Sequence, residues 1–276
     1  MGSLYTRVPA VPVPASAPAL LALDFDGVLC DGMREYFAAA WGACRRLWPA
    51  GPAEPPAELF DRFARLRPVV ENGWEMPLLL RALLAGADDD ELLHDWQPDA
   101  WLGRLGVARA ASGAALDAVR DEWIARDEAG WLDHHRFYPG VLERVRALAD
   151  GPPRVAVVTT KEGRFARQLL ARAGVALGAD DVVGKEARRP KREILRELLA
   201  RHGAAPARLW FVEDRLKTLE DARADPALAG AGLFLAAWGY NTPEERERAR
   251  RDDRIVLLPL ERFAWNFTAW RAPRAP

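Results

Sequence analysis

The sequence predicts an α/β fold: a doubly wound parallel sheet, Rossmann-like in its alternation, with an all-helical block inserted into its first crossover. Three observations carry this expectation. From about residue 138 onward, short apolar runs alternate with helical spacings, the pattern of a parallel sheet covered on both faces. A much earlier run, Leu20-Leu21-Ala22-Leu23, has the same texture of a strand buried on both sides. Between the two, from residue 32 to 135, only helical spacing is found.

The elements follow in order. Residues 1–18 carry prolines at 9, 12, 14 and 18 and lack the basic start and unbroken apolar stretch of a signal peptide, so they read as an extended leader. The first strand ends in Asp24-Phe25-Asp26-Gly27. Helical spacing then runs through Tyr36, Phe37, Ala40, Trp41, Cys44 and Leu47, breaks at the Pro/Gly-rich stretch 49–56, and resumes at Leu59–Leu66, Met76–Leu84, Leu92–Trp96 and Leu116–Trp123. This block holds seven of the eleven tryptophans, read as the core of a small helical domain rather than a ligand cage. Strands are then expected at 155–159, 182–183, 209–212, 233–237 and 255–258, separated by helices, with Glu244–Arg251 a solvated mixed-charge helix. The expected division is a leader at 1–18, a core at 19–31 and 136–263, a helical insertion at 32–135 and a tail at 264–276. The tail's Trp265, Phe267 and Trp270 pack back on the core or on a partner.

Composition narrows the classes. A net charge of −1 gives no reason to expect a nucleic-acid or anionic-membrane partner, and no apolar run approaches the length of a membrane span. Two cysteines cannot build a disulfide framework in 276 residues, which points to a reducing cytoplasm. Only four lysines, at 161, 185, 191 and 217, stand among 39 basic residues, so each is informative.

Four features sit where strands end, the place open α/β sheets put their ligands. Asp24 and Asp26, one residue apart, can turn both carboxylates toward one volume, where they need a cation or a shared proton; a plain strand-to-turn Asp-x-Asp-Gly is the other reading. An EF-hand loop is excluded, because Val28 and Leu29 stand where an oxygen ligand and a glycine are needed. Thr159 and Thr160 offer hydroxyls and free N–H groups to a phosphate, or Thr159 caps a helix. Lys191 opens a helix, where the dipole disfavours a cation unless an anion faces it; Lys185 competes for the same role. Glu213 and Asp214 end an apolar strand and, with Asp24 and the carbonyl of Asp26, can complete an all-oxygen Mg²⁺ site, unless Asp214 is only a helix cap.

This ordered set resembles the haloacid dehalogenase superfamily in its phosphatase-like branch, over Leu20 to Ile255. The motifs stand as Asp24-Phe25-Asp26-Gly27, Thr159, Lys191 and Glu213-Asp214, with Tyr138-Pro139-Gly140 and Trp238-Gly239-Tyr240 also similar. The helical insertion resembles that family's type 1 cap. One departure concerns the fourth motif: many members carry Gly-Asp with a later acid, whereas here Glu213 precedes Asp214 and Thr218 and Leu219 occupy the later positions, leaving Glu213 or Glu220 as the additional acid.

The resemblance implies a Mg²⁺-dependent phosphatase acting on a small phosphorylated metabolite. Asp24 would attack phosphorus and form an aspartyl phosphate, and Asp26 would act as acid and then base. Mg²⁺, Thr159, Thr160 and Lys191 would neutralise the phosphoryl oxygens. Asp26 argues against dehalogenases, which lack that second aspartate, and the absence of lysine between residues 31 and 135 argues against phosphonate cleavage through a cap Schiff base. A phosphomutase on the same residues and a non-catalytic binding protein are the alternatives. In the cap, Arg67-Pro68-Val69-Val70-Glu71-Asn72-Gly73-Trp74-Glu75-Met76 is either a polar turn between helices or a loop that reads the leaving group, with Arg67, Glu71, Trp74 and Glu75 as candidates.

Overall fold

The computed structural model describes residues 17–149 and 151–270; the expected leader lies outside the described residues except for its last two positions. Strand β1 (Leu20–Leu23) is followed by β2 (Cys30–Asp31), then helices α1 (Met33–Leu47), α2 (Leu59–Leu66), α3 (Met76–Leu84), α4 (Asp89–His94), α5 (Pro98–Leu105) and α6 (Arg109–Leu132). The chain continues through β3 (Arg136–Phe137), α7 (Val141–Ala149), β4 (Arg154–Val158), α8 (Gly163–Arg172), β5 (Val182–Val183), α9 (Lys191–His202), β6 (Leu209–Glu213) and α10 (Leu216–Ala224). It ends with β7 (Gly232–Ala236), α11 (Pro243–Arg251), β8 (Ile255–Leu258), α12 (Leu260–Phe263) and α13 (Phe267–Trp270).

Six strands form one parallel sheet in the order β5-β4-β1-β6-β7-β8, so the expected doubly wound core with its helical cap is the architecture found. Strand β1 is central, and all four of its side chains are fully buried. Alternation sorts them onto two faces. Leu21 and Leu23 join Val155, Val157, Trp210 and Val212 beneath α7 and α8, while Leu20 and Ala22 join Ala156, Val158, Leu209 and Phe211 beneath α9 and α10. The register pairs Leu23 with Val157 and with Val212, so Asp24, Val158 and Glu213 come level, one residue further along three adjacent strands.

The cap has its own core, built from Met33, Tyr36 and Cys44 of α1, Phe63 of α2 and Leu79 and Leu80 of α3. Two of its helix ends are set by the sequence: the Asp88 carboxylate accepts the amides of Asp90 and Glu91 at the start of α4, and α5 stops at Gly106 with φ 64°. Two details differ from expectation. A short two-stranded antiparallel ribbon, Cys30 opposite Phe137 and Asp31 opposite Arg136, joins the two passages between core and cap. Of the seven tryptophans, Trp41, Trp48, Trp96 and Trp101 pack on the cap core, whereas Trp123 and Trp131 pack with the sheet-side core and Trp74 with neither. Of the three tail aromatics, Phe267 and Trp270 pack back on the core while Trp265 stays exposed: Trp270 is fully buried, stacked on Phe263 at 5.1 Å and beside Phe234 and Trp210 at 5.4 and 5.7 Å.

Candidate active site

Because β1, β4 and β6 are neighbours and parallel, their carboxyl ends deliver Asp24, Thr159 and Glu213-Asp214 to one edge of the sheet. Carboxylate oxygens of Asp24, Glu213 and Asp214, all buried, lie within 4.8 Å of one another. Lys191, the first residue of α9, places Nζ 2.8 Å from Asp24 Oδ1 and 2.7 Å from Glu213 Oε2. A cation at a helix start works against the dipole, and these two carboxylates compensate it. Burial alone would lower the Lys191 ammonium, but Asp24 and Glu213 outweigh it and raise it.

Three buried carboxylates still share one lysine. Burial and the charge of Glu213 push Asp24 up to about 7 against the pull of Lys191, and burial with Glu213 and Asp24 pushes Asp214 well above the usual carboxylate range. This surplus of negative charge, offered entirely by hard oxygen donors, fits a Mg²⁺ ion. The cradle around Asp214 is tight. Its Oδ2 accepts the Tyr240 amide at 2.9 Å, its carbonyl accepts Asn241 Nδ2, and a Cβ at Gly27 would sit 2.1 Å from Oδ2. Glu220, the alternative acid, instead pairs with Arg248 near the surface.

Asp26 lies beside this cluster and turns its carboxylate to Lys161, whose Nζ is 3.2 Å from both oxygens. Thr159 and Thr160 separate in role: Thr160 lines the cleft, whereas Thr159 is buried and its hydroxyl oxygen accepts the Lys161 amide at 3.1 Å. Lys185 is largely exposed and pairs with Glu162 at 2.9 Å, so Lys191 is the lysine brought to Asp24.

A cleft of about 250 Å³, lined by Asp24, Asp26, Thr160, Lys191 and Asp214, borders a larger cavity of about 620 Å³ between core and cap. Arg67 and Glu71 line both. The Arg67 guanidinium lies 4.9 Å from the centre of the Tyr36 ring and 5.2 Å from that of Tyr240. Trp74 and Glu75 are not brought to the cavity. Glu75 is buried and accepts the Asn72 amide and Trp96 Nε1, closing a capping box, while Trp74 packs under Arg109 and its carbonyl accepts the Ser112 hydroxyl. Arg215, absent from the sequence candidates, donates to the carbonyls of Pro68 in the cap and Tyr240 in the core, at 2.6 and 2.8 Å.

An acid pair just past the end of a central strand, a lysine at a helix start and two further acids at the end of the adjacent strand make an α/β site suited to phosphoryl transfer. A family model for haloacid dehalogenase-like hydrolases matches residues 18–224, and the chain belongs to that family. It is 29% identical over 169 residues to N-acetylmuramic acid 6-phosphate phosphatase of Pseudomonas aeruginosa, covering 58% of this chain and 72% of the relative. It is 36% identical over 234 residues to phosphoglycolate phosphatase of Nitrosospira multiformis, covering 83% and 86%. Among solved structures, a haloacid dehalogenase-like family hydrolase from Streptococcus pneumoniae superposes with a TM-score of 0.52 at 14% identity, covering 87% of this chain and 93% of that one, a likeness of fold. Among the described residues, no helix is long and apolar enough to cross a membrane.

Proposed function

We propose that this hydrolase is a Mg²⁺-dependent phosphatase that cleaves a small phosphorylated metabolite through an aspartyl phosphate on Asp24. The observation that carries this reading is the position of Asp24, buried between Lys191 and the Glu213-Asp214 pair at the floor of a cleft that opens beneath the cap. The relatives named above act on phosphate monoesters by name, and only that class of reaction is carried over.

Asp24, Glu213, Asp214 and the Asp26 carbonyl would hold Mg²⁺, which would supply positive charge against the phosphoryl oxygens when bound. Lys191 places a second positive charge beside the nucleophile, and Thr160 donates from the cleft wall. An Asp24 oxygen attacks phosphorus in line, forming the O–P bond as the bond to the leaving oxygen breaks. Asp26 gives its proton to that oxygen, then takes one from the water that opens the Asp24 ester. Arg67 and Glu71, on the cap side of the same space, contact the leaving group, while Glu75 and Trp74 fix the loop that carries them. Free, buried Cys30 and Cys44 support a cytoplasmic setting.

The test is phosphate release from p-nitrophenyl phosphate by wild type and Asp24→Asn, with and without a chelator. Release that depends on Mg²⁺ and disappears in Asp24→Asn supports the reading. Release that persists in Asp24→Asn refutes it, and turnover of a sugar phosphate that needs a bisphosphate and frees no phosphate would make the chain a mutase.

A further inference from the structure

We infer that Lys161 is a positioning residue for the acid–base group Asp26, held in place by Trp131 from the end of the cap; the inference rests on the phosphatase reading above. Among the described residues, Lys161 Nζ is the one donor to the Asp26 carboxylate, equidistant from its two oxygens at 3.2 Å. The pair is nearly closed to solvent, with side chains 8% and 15% exposed. A buried ammonium is costly unless its surroundings are arranged for it, and here they are. Its backbone N–H is fastened to Thr159 Oγ1, its carbonyl accepts the Lys185 amide, and Nζ lies 5.5 Å from the centre of the Trp131 ring.

Trp131 is itself fixed. Its Nε1 donates to Glu35 Oε1 at 3.2 Å, and Glu35 takes both arms of Arg120 at 2.7 and 3.0 Å. Glu35 stands on the first cap helix and Arg120 and Trp131 on the last, so the two ends of the cap converge on the lysine that grips Asp26. Lys191 is engaged with Asp24 and Glu213, which leaves the two lysines with separate tasks: one at the nucleophile, one at the proton donor.

The chemistry follows from the charge. As the bond from phosphorus to the leaving oxygen breaks, the Asp26 proton moves to that oxygen and Asp26 is left as a carboxylate. Lys161 faces that carboxylate as it forms and holds its two oxygens in one orientation, so proton delivery is aimed and its product is neutralised. The benefit is largest where the leaving oxygen needs the proton most.

The experiment compares a poor leaving group with a good one. Wild type, Lys161→Met, Lys161→Gln and Lys161→Arg are assayed with an alkyl phosphate (glycerol phosphate) and with p-nitrophenyl phosphate, with circular dichroism to confirm folding. General acid catalysis is worth roughly 10²–10⁴-fold, so the neutral variants should lose kcat on the alkyl ester by roughly tenfold or more, and several-fold less on the aryl ester, with Lys161→Arg recovering most of the loss. Equal losses on both esters, or a rise in KM with kcat unchanged, would overturn the inference and make Lys161 a phosphate-binding or purely structural residue. A wild-type protein that cleaves neither ester would strike at the phosphatase reading instead.

Discussion

Removing Arg120 would test how the cap is fastened. Its guanidinium closes a two-armed ion pair on Glu35, whose side chain is 1% exposed while that of Arg120 is 23% exposed. Burial alone would raise the Glu35 carboxyl, but Arg120 overrides it and holds the group down at about 2, against an ordinary 4.5. At about 1.4 kcal/mol per tenfold, that difference corresponds to about 3 kcal/mol of stability, and the partial exposure of Arg120 makes this an upper figure. The same range describes leaving one buried charge without its partner. Because the folded value is depressed, this stability is fully present above about pH 4.5 and is lost as pH falls toward 2. Arg120→Met should therefore lower the urea midpoint at pH 7 by the equivalent of about 2–3 kcal/mol. Glu35→Gln, which keeps an acceptor for Arg120 and Trp131, should lose less and flatten the fall in stability below pH 4.5. A pH 7 loss below about 0.5 kcal/mol in Arg120→Met, or an unchanged acid limb in Glu35→Gln, would refute the reasoning.

Two further outcomes concern other parts of the molecule. Gly27→Ala places a methyl 2.1 Å from Asp214 Oδ2 at a backbone φ of +82°, so it should displace that carboxylate, raise the Mg²⁺ concentration needed for activity and cost about 1–2 kcal/mol of stability; a magnesium titration and a thermal melt check both. Trp270→Ala empties a fully buried site among Phe263, Phe234 and Trp210 and should cost about 3–5 kcal/mol in urea denaturation, with KM for p-nitrophenyl phosphate unchanged.

Much of the architecture was legible because parallel strands buried on both faces are written as apolar runs, and their polar ends mark the functional edge. Leu20–Leu23 followed by Asp24 and Leu209–Val212 followed by Glu213 are both of this kind. The antiparallel pairing of Cys30–Asp31 with Arg136–Phe137 was not legible, since two residues per strand carry no periodicity. Trp131 reads like the other tryptophans of its block, and no local signal shows that the last turns of α6, from Trp123 and Ile124 past the kink at Asp127 to Trp131, pack against the sheet-side core. Lys161 and Asp26 are 135 positions apart, and no local signal reports such a pairing, although a lysine two residues after Thr159 in a chain with four lysines was a usable hint. For Glu75, loop composition suggested a ligand contact, while its spacing from Asn72 is that of a capping box, the role the structure gives it.

The small two-stranded ribbon has a consequence out of proportion to its size. With Asp31 opposite Arg136, the chain leaves for its helical excursion and comes home at paired positions, on the order of 5 Å apart. The sheet needs nothing from the hundred residues in between to complete its connectivity. The helices therefore hang from the catalytic layer on a narrow neck, and touch it again where Trp131 meets Lys161 and where Arg215 reaches the Pro68 carbonyl. Mutation can refashion what the rest of the cap recognises, so long as Glu35, Arg120 and Trp131 are kept, while the strand ends keep their chemistry, and one fixed reaction can be passed from substrate to substrate without rebuilding the machinery that performs it.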